Sequence, residues 1–285
     1  MSGTYHIRVM SRAELDLAVD WAAAEGWNPG LSDASAFHLA DPEGFLVGLL
    51  DGRPVASISV VRYADAFGFL GFYIVRPEVR GQGFGIGLWR AGMARLAGFT
   101  IGLDGVVAQQ DNYRRSGFAP AWRNIRFGGT VTAPGVAPGG TPAGLVDART
   151  VPMDRLLAFD RRFFPAPRPA FLSYWVAQPG AVALARLRDG EVAGFGVARP
   201  CRHGTKIGPL HAGDPDTARL LFHALSAAVP SGPVYLDVPE PNRDAVAMAR
   251  AAGLTPEFET ARMYAGPAPA TDPSGLYGVT TFELG

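Results

Sequence analysis

The hydrophobic pattern of the chain is clearest between residues 69 and 96. An unbroken apolar run from Phe69 to Val75, rich in aromatic and β-branched residues, predicts a strand that is buried on both faces, and Pro77 ends it. Beyond this point, apolar side chains recur at three- and four-residue spacing and predict a helix that begins near Gly83. A charged, glycine-rich turn joins the two elements, with the sequence Arg80-Gly81-Gln82-Gly83-Phe84-Gly85.

The pattern before this strand predicts a mixture of strands and helices. Residues 6–10 are a strand candidate, and Ser11 with Glu14 forms a capping box that opens a helix ending by Gly26. Two further strands, residues 45–50 and 55–63, flank the hairpin signal Asp51-Gly52. The first 128 residues therefore predict an α/β domain of the α+β kind, with a mixed sheet rather than a doubly wound parallel one.

The second half of the chain is predicted to be another copy of the first. Val55-Ala56-x-x-x-Val60-x-Arg62 recurs as Val192-Ala193-x-x-x-Val197-x-Arg199, and each copy follows an Asp-Gly turn. Between the copies, residues 128–144 consist mainly of glycine, proline and alanine and have little to bury. We therefore predict a first domain at 1–128, a linker at 129–144 and a second domain at 145–285.

Composition narrows the classes of protein. The 285 residues carry 26 basic and 26 acidic side chains and are 48% hydrophobic, so we expect a large core, and neither nucleic acid nor an anionic membrane as partner. No apolar run reaches the ~18 residues of a membrane span and no secretory leader is apparent, which favours a cytoplasmic protein. Cys201, the single cysteine, fits a core residue better than a nucleophile.

The glycine turn is a candidate anion site. Without side chains at Gly81, Gly83 and Gly85, backbone N–H groups can converge where the helix begins, and this geometry binds phosphate. A plain tight turn would use the same glycines, so the turn alone is a weak signal. A Rossmann motif needs glycine at position 86, and a P-loop needs lysine there followed by serine or threonine; Ile86-Gly87 excludes both.

Strand, Arg-x-x-Gly-x-Gly turn and helix together resemble the acetyl-CoA pyrophosphate loop of the GNAT acyltransferase superfamily. A later stretch, Asn112-Tyr113-Arg114-Arg115-Ser116-Gly117-Phe118, is similar to the family's segment in which a tyrosine lies beside the thioester sulfur. The resemblance implies tandem GNAT-like domains, with Tyr113 as the proton donor to the leaving thiolate. It implies acetyl-CoA binding by Tyr73, Ile74, Val75, Arg80, Gly81, Gln82, Gly83, Phe84, Gly85 and Asn112; Asn112 alternatively caps its own helix.

The second copy lacks this loop in the register of the repeat. The residues opposite Arg80, Gly81, Gly83 and Gly85 are Thr217, Ala218, Leu220 and Phe222. The leucine and phenylalanine side chains would fill the space of a diphosphate. This resembles bacterial tandem-GNAT proteins in which one half is degenerate. We therefore expect the C-terminal copy to shape the acceptor cleft.

The motifs do not assign the general base to a single residue. Several family members have a glutamate at the start of the central strand, where Phe69 stands here. We prefer Glu25, because it adjoins Trp27 at the break in the first helix. The other candidates are Asp33, His38 and Asp65. A base is unnecessary if the acceptor arrives partly deprotonated or passes its proton through water.

The predicted activity is transfer of an acetyl group from acetyl-CoA to the amine of a small molecule, by direct attack in a ternary complex and without a metal ion. A lysine or N-terminus on a protein is an alternative acceptor. A non-catalytic acyl-CoA sensor or interaction protein is the alternative of a different class. A homodimer is left open.

Overall fold

The computed structural model describes residues 3–64, 66–131 and 144–285, which we call the first half up to residue 131 and the second half from residue 144. Asp65 and positions 132–143 of the predicted linker lie outside the described residues. The strands are β1 (Tyr5–Val9), β2 (Phe45–Leu50), β3 (Arg53–Tyr63), β4 (Phe67–Val75), β5 (Thr100–Val106), β6 (Ala119–Gly129), β7 (Leu145–Asp147), β8 (Val182–Arg188), β9 (Glu191–Pro200), β10 (Thr205–Ala212), β11 (Val234–Pro239), β12 (Thr255–Ala265) and β13 (Leu276–Gly278). The helices are α1 (Arg12–Ala24), α2 (Asp33–Ala40), α3 (Phe84–Arg95), α4 (Gln110–Arg115), α5 (Met153–Asp160), α6 (Pro169–Ala177), α7 (Pro215–Ala228) and α8 (Arg243–Ala251).

Local signals in the sequence set several of these boundaries. Ser11 caps α1 in a capping box, with its N–H donating to the Glu14 carboxylate at 2.8 Å and its hydroxyl accepting from the Glu14 N–H at 3.3 Å. The β2–β3 and β8–β9 hairpins turn through Asp51-Gly52 and Asp189-Gly190, with φ of 49° and 76° in the first turn and 53° and 81° in the second. Positive φ at both residues is the type I′ geometry of tight hairpins. The repeat found in the sequence is therefore a repeat of one hairpin.

The described strands form one mixed sheet in which the two halves exchange strands. The order is β1-β2-β3-β4-β5-β12-β6-β11-β10-β9-β8-β7, with β13 beside β10. β12 of the second half pairs with β5 of the first, while β6 of the first half pairs with β11 of the second. The division of the sequence near residue 128 does not indicate this exchange. Gly129, assigned to the linker by its composition, is the last residue of β6 and pairs with Val234.

A buried ion pair links each exchanged strand to a strand of the other half. Arg126 of β6 donates to both carboxylate oxygens of Asp237 in β11 at 2.6 and 2.8 Å, and the two side chains are 4% and 1% exposed. Arg262 of β12 bonds Asp104 of β5 in the same way, with both distances 2.8 Å. Each pair joins strands from different halves. Removing one partner would therefore leave an uncompensated charge inside the sheet.

We expect Arg126→Met to lower the free energy of unfolding by about 3–5 kcal/mol, because the buried Asp237 carboxylate would lose both hydrogen bonds from its guanidinium partner. Arg219→Met is the matched control, since Arg219 pairs with Asp216 on the surface with side chains 51% and 81% exposed. It should cost less than about 1 kcal/mol. Urea unfolding measures both variants. Similar losses for the two would show that the buried pair does not fasten β6.

The core lies on both faces of the sheet. Phe69 of β4 belongs to the largest hydrophobic cluster, which contains residues of α1, α2, α5 and α6 and so combines both halves. Leu70, the next residue, belongs to a second cluster beneath α3. A third cluster lies beneath α7 and α8. Burial of β4 on both faces, predicted from its unbroken apolar sequence, is confirmed.

Candidate active site

A cavity opens where β4 and β5 separate. The two strands pair in parallel from Phe67 with Thr100 to Leu70 with Leu103, and their pairing ends there. Just beyond, Phe72 has a φ of 46° and the register between β4 and β3 shifts, which marks a β-bulge. The edge of β4 from residue 71 to 75 is therefore unpaired on the β5 side. The cavity in this opening has a volume of about 630 Å³.

The cavity reaches the start of α3. This helix follows Gly83, whose φ is 89°, and no side chain caps its first N–H groups. A Cβ added at Gly81 or Gly83 would meet nothing within 4 Å, so the turn is open. Gly85 packs closely instead, because a Cβ there would lie 2.8 Å from the Tyr73 hydroxyl. An uncapped helix N-terminus that borders a cavity is suited to bind an anion.

In the second half, both the start of the equivalent helix and the gap between the equivalent strands are occupied by the chain itself. The Asp214 carboxylate accepts from the Thr217 N–H at 2.8 Å and so caps α7. Strands β10 and β11 also separate, after Ile207 and Leu236, but β13 pairs with β10 in this gap. The Val279 N–H then donates to β11 at the Asp237 carbonyl, at 2.8 Å. The tail of the chain thus occupies the gap that is a cavity in the first half.

This arrangement corrects one detail of the repeat register. Leu220 and Phe222, placed by the sequence at the phosphate position, lie inside α7, which already begins at Pro215. The anion position of the second half is instead taken by the Asp214 cap. The alignment of the two copies by sequence is wrong at this point because the turn before α7 is shorter than the turn before α3.

Tyr113 of α4 lines the cavity. Its ring stacks on Trp89 with centroids 5.6 Å apart and an interplanar angle of 25°. The ring also packs directly on Gly105, where any larger residue would clash, since a Cβ there would lie 2.8 Å from the ring. Tyr113 is 8% exposed, and burial raises the pKa of its phenol above the ordinary value. The hydroxyl is therefore protonated at neutral pH and can act as an acid.

Most of the residues that the sequence predicts to bind acetyl-CoA or to act in catalysis line this cavity. Glu25 and Arg80 line it as an ion pair, and Arg80 Nε also donates to the Val75 carbonyl at 2.7 Å. Gln82 and Asn112 are exposed and are not part of the lining; the Asn112 amide donates to Gln109 at 2.5 Å. The remaining lining residues from the expected set are Tyr73, Ile74, Val75, Gly81, Gly83, Phe84 and Gly85. Their contacts with acetyl-CoA stay a prediction.

The other candidate bases lie apart from the cavity lining. Asp33 is 1% exposed and accepts from Arg199 Nε at 2.8 Å and from the Gly30 N–H at 2.8 Å, so it is held in a buried structural ion pair. His38 lies on α2 outside the lining. Phe69, at the position of the family's glutamate, is fully buried beneath the Arg262 guanidinium, 5.1 Å from its ring centroid. Asp65 is outside the described residues.

Several lining residues were not found from the sequence. Phe258 and Thr260 come from the exchanged strand β12, and Phe282 and Glu283 come from the tail after β13. No periodicity marks the tail, so nothing in the sequence connected it to β4. Asp104 also lines the cavity; it is the lone charged residue of β5, and a single carboxylate among these residues could have suggested a buried charge.

The uncapped glycine turn and the free edge of β4 meet at one cavity, and both belong to the strand–turn–helix motif by which the sequence resembles GNAT acyltransferases. Residues 11–118 match the model of the acetyltransferase (GNAT) family, and residues 156–278 match that of an acetyltransferase (GNAT) domain. The chain is 31% identical over 284 residues to a holothin acyltransferase of Pseudoalteromonas sp., covering 99% of this chain and 95% of that protein. The chain belongs to the GNAT family and is a tandem GNAT N-acyltransferase.

Solved structures share the fold. A putative acetyltransferase from Pyrococcus horikoshii has a TM-score of 0.82 at 20% identity, covering 99% of this chain and 96% of its own. A tandem GNAT protein from the clavulanic acid biosynthesis pathway has a TM-score of 0.62 at 16% identity, covering 93% and 100%. The predicted mixed α/β fold with tandem GNAT-like halves is confirmed. None of the helices that the structure describes is long and apolar enough to cross a bilayer.

Proposed function

We propose that this protein transfers an acetyl group from acetyl-CoA to the amine of a small molecule, by direct attack in a ternary complex. One observation carries the proposal: a single cavity joins the uncapped start of α3, the free edge of β4 and Tyr113. The N–H groups from Gln82 to Gly85 bind the diphosphate, with Arg80 adding charge. The pantetheine arm pairs with β4 along Tyr73, Ile74 and Val75, as an added strand would.

The chemistry needs an oxyanion donor and an acid near the bulge. A backbone N–H near Val75 donates to the thioester oxygen as it gains charge. Tyr113 then protonates the leaving sulfur, since its phenol is held neutral by burial. Asn112 orients the cofactor from the rim. Glu25 is available as a base only at the expense of its ion pair with Arg80.

The shape of the cavity favours a small acceptor over a protein. Its volume of about 630 Å³ is within the range of small-molecule sites, and its walls include the aromatic rings of Trp27, Phe258 and Phe282. Holothin, the compound in the relative's name, is therefore the first acceptor to test. We place the reaction in the cytoplasm, where a chain with one buried cysteine needs no disulfide.

The test is thiol release from acetyl-CoA in a screen of small amines and lysine peptides. We expect turnover with a small amine, and initial rates at varied concentrations of both substrates that give intersecting lines, because both must be bound before attack. Parallel lines would contradict direct attack and indicate an acyl-enzyme. Tight acetyl-CoA binding without turnover on any amine would instead support the sensor, and turnover on peptides alone would support a protein acceptor.

A further inference from the structure

Two buried oxygens in the cavity lining have no hydrogen-bond partner among the described residues. They are Oε1 of Glu283 and Oγ1 of Thr260. The two residues are only 3% and 2% exposed. Buried polar atoms are nearly always bonded, so an unpartnered pair beside a cavity marks the place where a ligand supplies the missing group. Both residues belong to the second half.

The tail holds Glu283 against the bulge of β4. A Cβ on Gly71 would lie 2.2 Å from the Glu283 carbonyl oxygen, so only glycine allows this approach. The Ser59 hydroxyl donates to the same carbonyl at 3.4 Å. The following carbonyl, that of Leu284, accepts from the Tyr63 hydroxyl at 3.1 Å. The carboxylate is thus fixed next to the point where β4 leaves β5.

Glu283 differs from the other carboxylates of the cavity. Glu25 is held by Arg80. Asp104 is fully bonded, because both of its oxygens accept from Arg262 and one also accepts from Asn124 at 2.7 Å. Glu283 accepts through Oε2 from the hydroxyl of Thr281 and keeps Oε1 without a partner. It is the carboxylate with a buried, unused acceptor oxygen.

The buried charges behind Glu283 include one more cation than anion. Three buried cations interact electrostatically with it, and two buried aspartates pair with two of them, which leaves one positive charge for Glu283 to balance. The cations are Arg126, Arg199 and Lys206, and the aspartates are Asp237 and Asp33.

We propose that Glu283 binds the acceptor ammonium through Oε1 and takes its proton, while Thr260 positions the same nitrogen; this proposal rests on the proposed function. The freed lone pair forms the C–N bond, and collapse of the adduct breaks the C–S bond. Tyr113 gives its proton to sulfur and regains one from solvent. Glu283 and the amide nitrogen each release a proton to solvent, so one proton is released per turnover.

The test compares acceptors that differ in charge. For Glu283→Gln we expect kcat/KM to fall about 100-fold with 2-phenylethylamine, which is an ammonium at neutral pH, and less than about threefold with aniline, which is uncharged. Glu259→Gln is the control, an exposed carboxylate one residue from Thr260 and paired with Arg123. It should match the wild type with both amines. Unchanged affinity for acetyl-CoA shows that Glu283→Gln remains folded.

Binding gives a readout that does not depend on turnover. With coenzyme A present, 2-phenylethylammonium should bind at least about tenfold more weakly to Glu283→Gln and Thr260→Val than to the wild type. If the wild type transfers no acetyl group but this difference holds, the proposed function fails while the ammonium subsite stands. Equal losses with both amines, equal ammonium affinities, or a charge-dependent loss in Glu25→Gln would overturn the role of Glu283.

Discussion

Gly83→Asp is expected to weaken acetyl-CoA binding by at least about 100-fold and to abolish the rise in melting temperature that acetyl-CoA gives the wild type. Gly83 has a φ of 89°, a conformation that aspartate tolerates better than most residues. Its carboxylate would lie at the uncapped start of α3, where it takes up the free N–H groups and repels a diphosphate. Like charges in contact cost several kcal/mol, and each 1.4 kcal/mol is about tenfold in affinity.

Gly98→Asp separates this effect from backbone strain. Gly98 has a φ of 85°, a Cβ there would meet nothing within 4 Å, and the residue is outside the cavity lining. The two variants therefore carry similar strain, but only one alters the anion site. Calorimetry and thermal shift should show native binding by Gly98→Asp. A full thermal shift in Gly83→Asp would remove the glycine turn from the site, and equal losses in both variants would attribute the effect to strain.

Tyr113→Phe is expected to lower kcat about 100-fold or more and to change acetyl-CoA affinity less than about threefold. The ring stacks on Trp89 and lies against Phe118, and phenylalanine keeps both contacts. Only the hydroxyl is lost, and general acids typically contribute 10²–10⁴-fold. Because burial raises the pKa of Tyr113, the hydroxyl is protonated below its raised pKa, and wild-type activity should not fall at alkaline pH through this group until above about pH 10.

Tyr235→Phe is the control for loss of a phenol. Tyr235 is 7% exposed and lies outside the cavity lining, and its hydroxyl oxygen is 2.6 Å from His203 Nδ1. Steady-state kinetics with a saturating amine should show native kcat for this variant. Native kcat in Tyr113→Phe would end the assignment of Tyr113 as the acid, and a loss confined to KM would make it a binding residue.

Features coded by neighbouring residues could be predicted from the sequence. The capping box at Ser11, the two Asp-Gly hairpins, β4 with its apolar run and the glycine turn before α3 each depend on interactions within a few residues. These local signals also fixed the resemblance to the GNAT family, because its cofactor motif lies in one strand–turn–helix unit.

Features formed across long sequence separations could not be predicted. The alternation of a strand shows which face is buried but not its partner, so the exchange of β6 and β12 was missed. The ion pair of Asp33 with Arg199 was missed for the same reason, because the two residues lie 166 positions apart. The tail that carries Glu283 has no periodic pattern and meets β3 and β4 more than 200 positions earlier in the chain.

We propose that acyl-CoA binds in the first half only, through the main chain around Gly83. A crystal structure of the protein with coenzyme A would decide this. We expect the diphosphate on the N–H groups at the start of α3 and the pantetheine arm between β4 and β5, with Asp214 and β13 still closing the second half. A diphosphate beside α7, or a first half in which the glycine turn makes no contact with coenzyme A, would contradict the claim.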